Sequence, residues 1–299
     1  MKKVLILYGG ISRERKISLE TGKQVAKELK KKYLIKLCEP KDIHLTIKTF
    51  KPNIIFNALH GQFGEDGYMQ TILETYKIPY THSGPIASLL AMNKEMSKKI
   101  FLKNKIYTPK YIKYNFTKKF NPSYIEKKLK FPVVIKPINE GSSLNVFICS
   151  RKNIIKNLKK VKFYKEILIE EFIPGREIQV AIMGTKKLGA IELKPKRDFY
   201  DYKAKYEQDA GTDHIIPVEL SKLKMKLVTD IAMKAHKIIG CDGVTRSDFK
   251  YYKEKFYLLE INTQPGMTKL SLVPEIAKYN NINFNALLDW MLNNASINK

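Results

Sequence analysis

Arginine, cysteine and long apolar runs are the scarce features of this 299-residue chain. No apolar stretch approaches the roughly 20 residues that span a bilayer, so a membrane-spanning helix is excluded. The opening Val4-Leu5-Ile6-Leu7-Tyr8 is too short for a signal peptide and is followed by Gly9-Gly10 without a small-residue cleavage site, so it reads as a first β-strand. Three cysteines, Cys38, Cys149 and Cys241, are far apart and form no C-x-x-C pair. Reduced, buried thiols in a cytoplasmic protein are expected. Neither G-x-x-x-x-G-K-[ST] nor G-x-G-x-x-G occurs, which disfavours P-loop and Rossmann nucleotide sites.

What is present is a globular balance, 44% hydrophobic and 28% charged, which excludes a disordered chain, a collagen and a small disulfide scaffold. The length accommodates two or three domains. The formal charge of +26 invites a nucleic-acid reading. However, only six of the 55 basic residues are arginine, the side chain that phosphate and base recognition favours for its fork. Lysine is spread through every segment, as expected of a solvated surface.

Strand and helix patterns alternate. Strands are expected at Lys3–Tyr8 and Ile54–Leu59, with helices at Ile17–Leu29, Met69–Tyr76 and Ile86–Met92. That is a mostly parallel βαβ domain over residues 1–93. A second unit, 94–176, opens with a Lys-rich helix, Lys94–Asn104. It continues through extended Tyr107–Tyr114 and strands Val133–Lys136, Asn145–Cys149 and Ile167–Phe172, with helices Tyr124–Leu129 and Asn153–Val161. A third, 177–299, has strands Glu177–Met183 and Leu188–Leu193, a polar loop Lys196–Ile215, a helix Leu223–Ile239, a hairpin and two closing helices. A loop of that length reads as functional, such as a lid.

The hairpin, Gly243–Tyr251 and Lys255–Ile261, is the most informative segment. With an odd-length loop centred on Glu254, Asp248 lies opposite Glu260 and Arg246 opposite Asn262, all on one face. Two adjacent carboxylates in a buried sheet repel and need a cation. Asp, Glu and Asn offer only oxygen, so Mg²⁺ fits better than Zn²⁺; the alternative is a buried salt bridge to Arg246 and some surface lysines. Lys136 ends a strand beside Glu140-Gly141-Ser142-Ser143, a combination able to cradle a phosphate, or simply a surface turn. Ile167–Ile173 runs through Glu170 and Glu171 into Pro174-Gly175-Arg176-Glu177, where backbone groups could meet an adenine edge and a carboxylate a ribose; otherwise it is a core strand with polar ends.

Taken together, these residues resemble a D-alanine–D-alanine ligase of the ATP-grasp superfamily. The resemblance rests on Gly9-Gly10-Ile11-Ser12-Arg13-Glu14, Ala58-Leu59-His60-Gly61 with Gly64-Glu65-Asp66-Gly67, Tyr80-Thr81-His82-Ser83-Gly84, Met92-Asn93-Lys94, Val134-Ile135-Lys136-Pro137 and Glu140-Gly141-Ser142-Ser143. It continues in Phe199-Tyr200-Asp201-Tyr202-Lys203-Ala204-Lys205-Tyr206, Leu259 through Thr268, and Ser271-Leu272-Val273-Pro274. It spans nearly the whole chain in family order.

The resemblance implies an α/β chain, α+β in its ATP-grasp part, of three domains with two sheets clasping ATP. It also implies the joining of two D-alanines through a D-alanyl phosphate for peptidoglycan. Asp248, Glu260 and Asn262 would hold two Mg²⁺ ions, which Mn²⁺ could replace. Lys94, Lys136 and Lys205 would neutralise phosphates. Glu170, Glu171, Ile173 and Glu177 would contact adenine and ribose. Glu14 would bind the first substrate's amino group, linked through Ser142 and Tyr206, with His60 near its carboxylate. Arg246 and the Gly266 N–H would stabilise the developing oxyanion, and Ser271 and Leu272 would hold the second carboxylate. Tyr206 argues for a dipeptide over a depsipeptide. Two residues depart from the pattern: Asn145 stands where the family usually has Gly, a place for left-handed backbone, and Gln264 replaces a smaller residue and is not expected to touch the metals. A cytoplasmic homodimer is implied, without nucleic-acid or membrane partners. The rival readings are another ATP-grasp carboxylate–amine ligase and a basic nucleic-acid-binding protein.

Overall fold

A computed structural model describes residues 1–195 and 211–299. Its first sheet is parallel, in the order β2-β1-β3, built from β1 (Lys3–Leu7), β2 (Leu34–Cys38) and β3 (Ile54–Asn57). Around it lie α1 (Arg15–Leu29), α2 (Ile43–Phe50) and α3 (Tyr68–Tyr76). Val4 to Leu7 are completely buried, as a strand covered on both faces requires. Tyr80 adds one parallel bridge to Ile55. The pattern reading passed over β2 and α2. β2 is an edge strand with Leu34 and Lys36 exposed, so it needs no apolar period.

The chain continues through α4 (Pro85–Met92), α5 (Lys94–Lys103), β4 (Tyr111–Asn115), α6 (Pro122–Leu129), β5 (Val133–Pro137), β6 (Phe147–Cys149), α7 (Ile154–Val161) and β7 (Glu166–Glu171). The four strands form an antiparallel sheet, β4-β7-β5-β6, with its own core of residues such as Val133, Ile135, Leu158 and Ile169. A third sheet, β10-β9-β8-β11-β12, is also antiparallel. Its strands are β8 (Arg176–Met183), β9 (Lys186–Pro195), β10 (Thr212–Ile215), β11 (Val244–Tyr252) and β12 (Lys255–Asn262), with helices α8 (Lys222–Ile239), α9 (Leu272–Tyr279) and α10 (Phe284–Asn293).

The first and third sheets share a core: Val4, Ile6 and Phe56 pack with Ala181, Val244, Ile276 and Leu288. The opposite side of the third sheet packs α8 together with Ala87 of α4 and Phe101 of α5.

Two expectations change. The end of the expected loop is strand β10, pairing Thr212 with Pro195 and Ile215 with Glu192. Its polar Asp213 and His214 are exposed, as an edge permits. The hairpin turn is also shorter than expected. Lys253 and Glu254, both at positive φ (46° and 61°), make a two-residue loop that joins Tyr252 to its partner Lys255. The register then shifts after Phe249↔Leu258, so that Asp248 faces Glu260 and Arg246 faces Asn262, the pairing expected. Leu259 is the extra residue of this bulge.

Candidate functional site

The bulge positions the site. A regular strand would send Leu259 and Glu260 to opposite faces; here both line a single slot between the second and third sheets. The slot has apolar walls from Pro109, Val134, Val146, Phe172, Ile173 and Leu259. Its polar groups come from Lys94, Lys136, Glu170, Glu171, Glu177 and Asp248. A second, wider chamber adjoins it, and Lys94, Glu140 and Glu260 line both. Into the chamber face Glu14, His60, Ser142, Arg246 and Asn262, and on its far side Gly266, Ser271 and Leu272. Every expected site residue is thus brought to these two spaces except Lys205 and Tyr206, which lie outside the described residues together with Phe199, Tyr200 and Tyr202.

The carboxylate pair is held by protein cations. Arg246 grips Asp248 with two hydrogen bonds, Nε to Oδ1 at 2.8 Å and a terminal nitrogen to Oδ2 at 3.0 Å, and Nε also reaches Gln179 at 2.9 Å. Lys94 stands 3.2 Å from Glu260 and donates to the Glu140 carbonyl at 2.6 Å. The salt bridge that the sequence left as an alternative therefore exists. It leaves an oxygen-only set on one face, since the Asn262 Oδ1 is fixed by the Gln264 N–H at 2.8 Å. Hard divalent cations favour such donors.

Three lysines are buried among the described residues, Lys94, Lys98 and Lys136; Lys94 and Lys136 line this cleft and Lys98 stands behind Glu170. Lys136 contacts Glu170 Oε2 at 2.8 Å and Lys98 contacts Oε1 at 3.2 Å. Glu177 meets Lys250 at 3.0 Å. In the chamber, Glu14, His60 and Glu65 offer ligand atoms within 4.8 Å of one another. Burial, reinforced by Glu14, pushes Glu65 up to about 8, and burial with Arg246 nearby pushes His60 down to about 4. Near neutral pH Glu65 is therefore largely protonated and the His60 imidazole neutral. Gly141 packs against the cluster: a Cβ there would come within 2.7 Å of Glu14 Oε1, so the Glu14 carboxylate would have to shift.

The loop after Lys136 is strained into left-handed backbone at Ser142, Ser143 and Asn145, with φ of 51°, 56° and 57°. Asn145 takes the conformation that its substitution for Gly implied. Its side chain donates to the Tyr164 hydroxyl at 2.7 Å, and that hydroxyl donates to Glu140 at 3.0 Å. At the other rim the Ser271 hydroxyl accepts from the Thr268 N–H at 3.0 Å and lies beside Gly266, just ahead of α9.

The profile of a family described as D-ala D-ala ligase C-terminus matches residues 105–293. The D-alanine–D-alanine ligase of Pelagibacter ubique is 68% identical over 100% of this chain and 99% of its own length. That of Paramagnetospirillum magneticum is 39% identical over 98% of each chain. The chain belongs to the D-alanine–D-alanine ligase family. The crystal structure of the Bacillus anthracis D-alanine–D-alanine ligase superposes with a TM-score of 0.88 at 33% identity, covering 98% of this chain and 97% of that one. A second structure of the Bacillus anthracis enzyme, complexed with ATP, gives 0.86 at 30% identity.

Several residues that shape this ligase-family site received no role from the sequence. Glu65 and Glu140 were visible only as letters within motifs. Lys98 resembles its exposed neighbour Lys99, and its one signal is the four-residue spacing from Lys94, which puts both on one helix face. Gln264 does not reach the carboxylates. It is a buried brace: its Oε1 accepts from Asn57 Nδ2 at 3.0 Å and Gln70 at 3.3 Å, and its amide donates to the Leu59 carbonyl.

Proposed function

We infer that this chain joins two D-alanines into D-alanyl-D-alanine at the expense of ATP, forming ADP and phosphate, for peptidoglycan precursor synthesis. The observation that carries the reading is the junction of slot and chamber at Lys94, Glu140 and Glu260. A nucleotide in the apolar slot would present its terminal phosphate there to a carboxylate held in the chamber. The carboxylate oxygen attacks the γ-phosphorus and ADP departs, leaving an acyl phosphate. The second amine then forms the C–N bond as the C–O bond to phosphate breaks, and the amine proton is lost to the surroundings. Such chemistry needs alignment and charge neutralisation more than covalent side chains.

In this reading the Glu170 carboxylate and the backbone at Glu171 and Ile173 take adenine, and Glu177 takes ribose. Lys94, Lys136 and Lys205 neutralise phosphates. Glu14, linked through Ser142 and Tyr206, holds the first ammonium, with His60 near that substrate's carboxylate. Ser271 and Leu272 hold the second carboxylate. Arg246 and the Gly266 N–H face the developing oxyanion, where one donor is worth about 3–4 kcal/mol. Asp248, Glu260 and Asn262 fit Mg²⁺, with Mn²⁺ as a substitute. When bound, the two ions would draw charge from the phosphates.

We place the reaction in the cytoplasm, where ATP is supplied; no helix among the described residues is long and apolar enough to cross a membrane. The domain division 1–93, 94–176 and 177–299 and a homodimer in solution belong to the same proposal, the latter checked by light scattering. The activity is tested by phosphate release with a panel of D- and L-amino acids and D-lactate. D-alanine is expected to be the preferred substrate for both positions; robust turnover with an L-amino acid or with D-lactate would redirect the assignment to another ATP-grasp ligase.

A further inference from the structure

Among the described residues, Lys98 is the one lysine whose side chain is fully buried. It does not line the slot, yet it stands directly behind a residue that does. Its ammonium donates to the Thr108 hydroxyl at 2.6 Å, contacts Glu170 Oε1 at 3.2 Å, and sits 5.9 Å from the centre of the Tyr111 ring. Glu170 is 2% exposed, with its other oxygen on Lys136. The contact with Lys98 is an ion pair without hydrogen-bond alignment, so Oε1 keeps an unused acceptor. A buried acceptor without a donor is costly unless a ligand supplies one. The Glu170 side chain lines the slot, whose apolar walls suit a flat ring.

A charge as deeply buried as Lys98 is itself unfavourable. Burial pushes its ammonium down to about 7, and repulsion from Lys136 adds to this, while Glu170 and the more distant Glu260 pull the other way. A neutral side chain of similar shape would fill that space with no such penalty. Glu170 also has two oxygens to fix. With Lys136 alone, the carboxylate could rotate about that single contact.

We propose that Lys98 is a positioning residue for the nucleotide base: with Thr108 it pins the Glu170 carboxylate so that Oε1 accepts from the exocyclic amino group of adenine. The inference rests on the ATP-dependent reading above and extends it to a residue that touches no substrate. It predicts that Lys98 governs discrimination for the amino group rather than the chemical step.

The test is titration of the full chain with Mg-ATP and with the Mg complex of purine riboside triphosphate, which lacks the amino group. It is run on wild type, Lys98→Met and Thr108→Val, each checked by thermal melting, with steady-state kinetics alongside. Wild type is expected to bind ATP about tenfold more tightly than the analogue, the worth of one well-placed hydrogen bond. Lys98→Met should erase most of that preference and raise the KM for ATP while leaving kcat at saturating ATP within about twofold. Thr108→Val, which removes only the hydroxyl, should lower the preference about threefold and carries the test if Lys98→Met does not fold. An unchanged preference in the folded variants, or a fall in kcat with KM unmoved, overturns the inference. Binding of neither nucleotide by wild type would instead overturn the ATP-dependent reading and the inference with it.

Discussion

The two walls of the cleft are built on different terms. One is the β11–β12 hairpin, a strand pair inside a body where the first and third sheets share a core. The other is the β5–β7 wall of a smaller sheet whose core is its own. Polar contacts tie them: Lys94 to Glu260 and to the Glu140 carbonyl, and Arg13 stacked over Phe163 at 5.7 Å. The difference teaches a division of labour. The hairpin wall cannot move without disturbing the main core. The smaller sheet, with its own core and polar ties that include the buried Lys98–Glu170 pair, is expected to shift as a unit, as a cleft that must admit and release a nucleotide requires.

The strongest way to break the comparison is at the hairpin. Glu260→Ala should lower dipeptide formation by about 10³-fold or more, because transition-state charge loses its preorganised partner, while the melting temperature stays close to wild type. Near-normal turnover would detach the carboxylates from the chemistry.

Acid should separate the two regions. Burial holds His60, His82 and His236 down to about 4, 3 and 4, and all three belong to the body. The smaller sheet and its flanking helices, residues 111–171, contain no histidine. A depressed histidine gives stability that is present above its unfolded value of 6.5 and lost as pH falls towards the folded one. At pH 5 each costs about 2 kcal/mol. Glu65 runs the other way, since its raised value confers stability as pH falls from 8, and it returns about 3 kcal/mol between pH 7.5 and 5. The three histidines outweigh it. Hydrogen exchange at pH 5 against pH 7.5, corrected for intrinsic rates, should show the body loosening first. Equal loosening of both regions would contradict two separate cores.

A smaller effect sharpens the same boundary. Gln264→Ala removes the buried brace to Asn57, Gln70 and Leu59 and should cost about 2 kcal/mol, read as a drop in the denaturation midpoint without a change in the core of the smaller sheet. The least effect is expected in the loop over the slot. Asn145→Gly keeps the left-handed backbone and removes the side-chain tie, whereas Tyr164→Phe removes that tie together with the bond to Glu140. Each should raise the KM for ATP a few-fold, and the double variant should be no worse than Tyr164→Phe alone, a coupling of about 1 kcal/mol. Additive losses would show that the two side chains act separately.

Strand pairing has a period of two, so facing residues across a hairpin can be counted, and the Asp248–Glu260 and Arg246–Asn262 pairs were found that way. The count succeeded through two compensating differences, a turn one residue shorter than expected and a bulge at Leu259 that restores the register. Lys136 and Ser142 were readable as a lysine ending a strand beside a small polar loop, whereas Glu14, His60 and Lys94 were reached only through the resemblance to the ligase family. Edge strand β2 and strand β10 were not, because a strand exposed on one side carries polar residues freely. Lys98 was not, because its burial comes from tertiary packing around one lysine in a Lys-rich helix. Gln264 looked like a tolerated exception because its partners are about 200 residues away in sequence.

The claim underneath all of this is that the hairpin wall grips divalent ions that carry the nucleotide's phosphates. It is tested most directly by the affinity of ATP measured with Mg²⁺ and with a chelator, in wild type and in Glu260→Gln. Mg²⁺ should tighten ATP binding at least about tenfold in wild type, an increment of about 1.4 kcal/mol, and should do little in the variant. Equal affinity with and without Mg²⁺ in wild type would contradict the account.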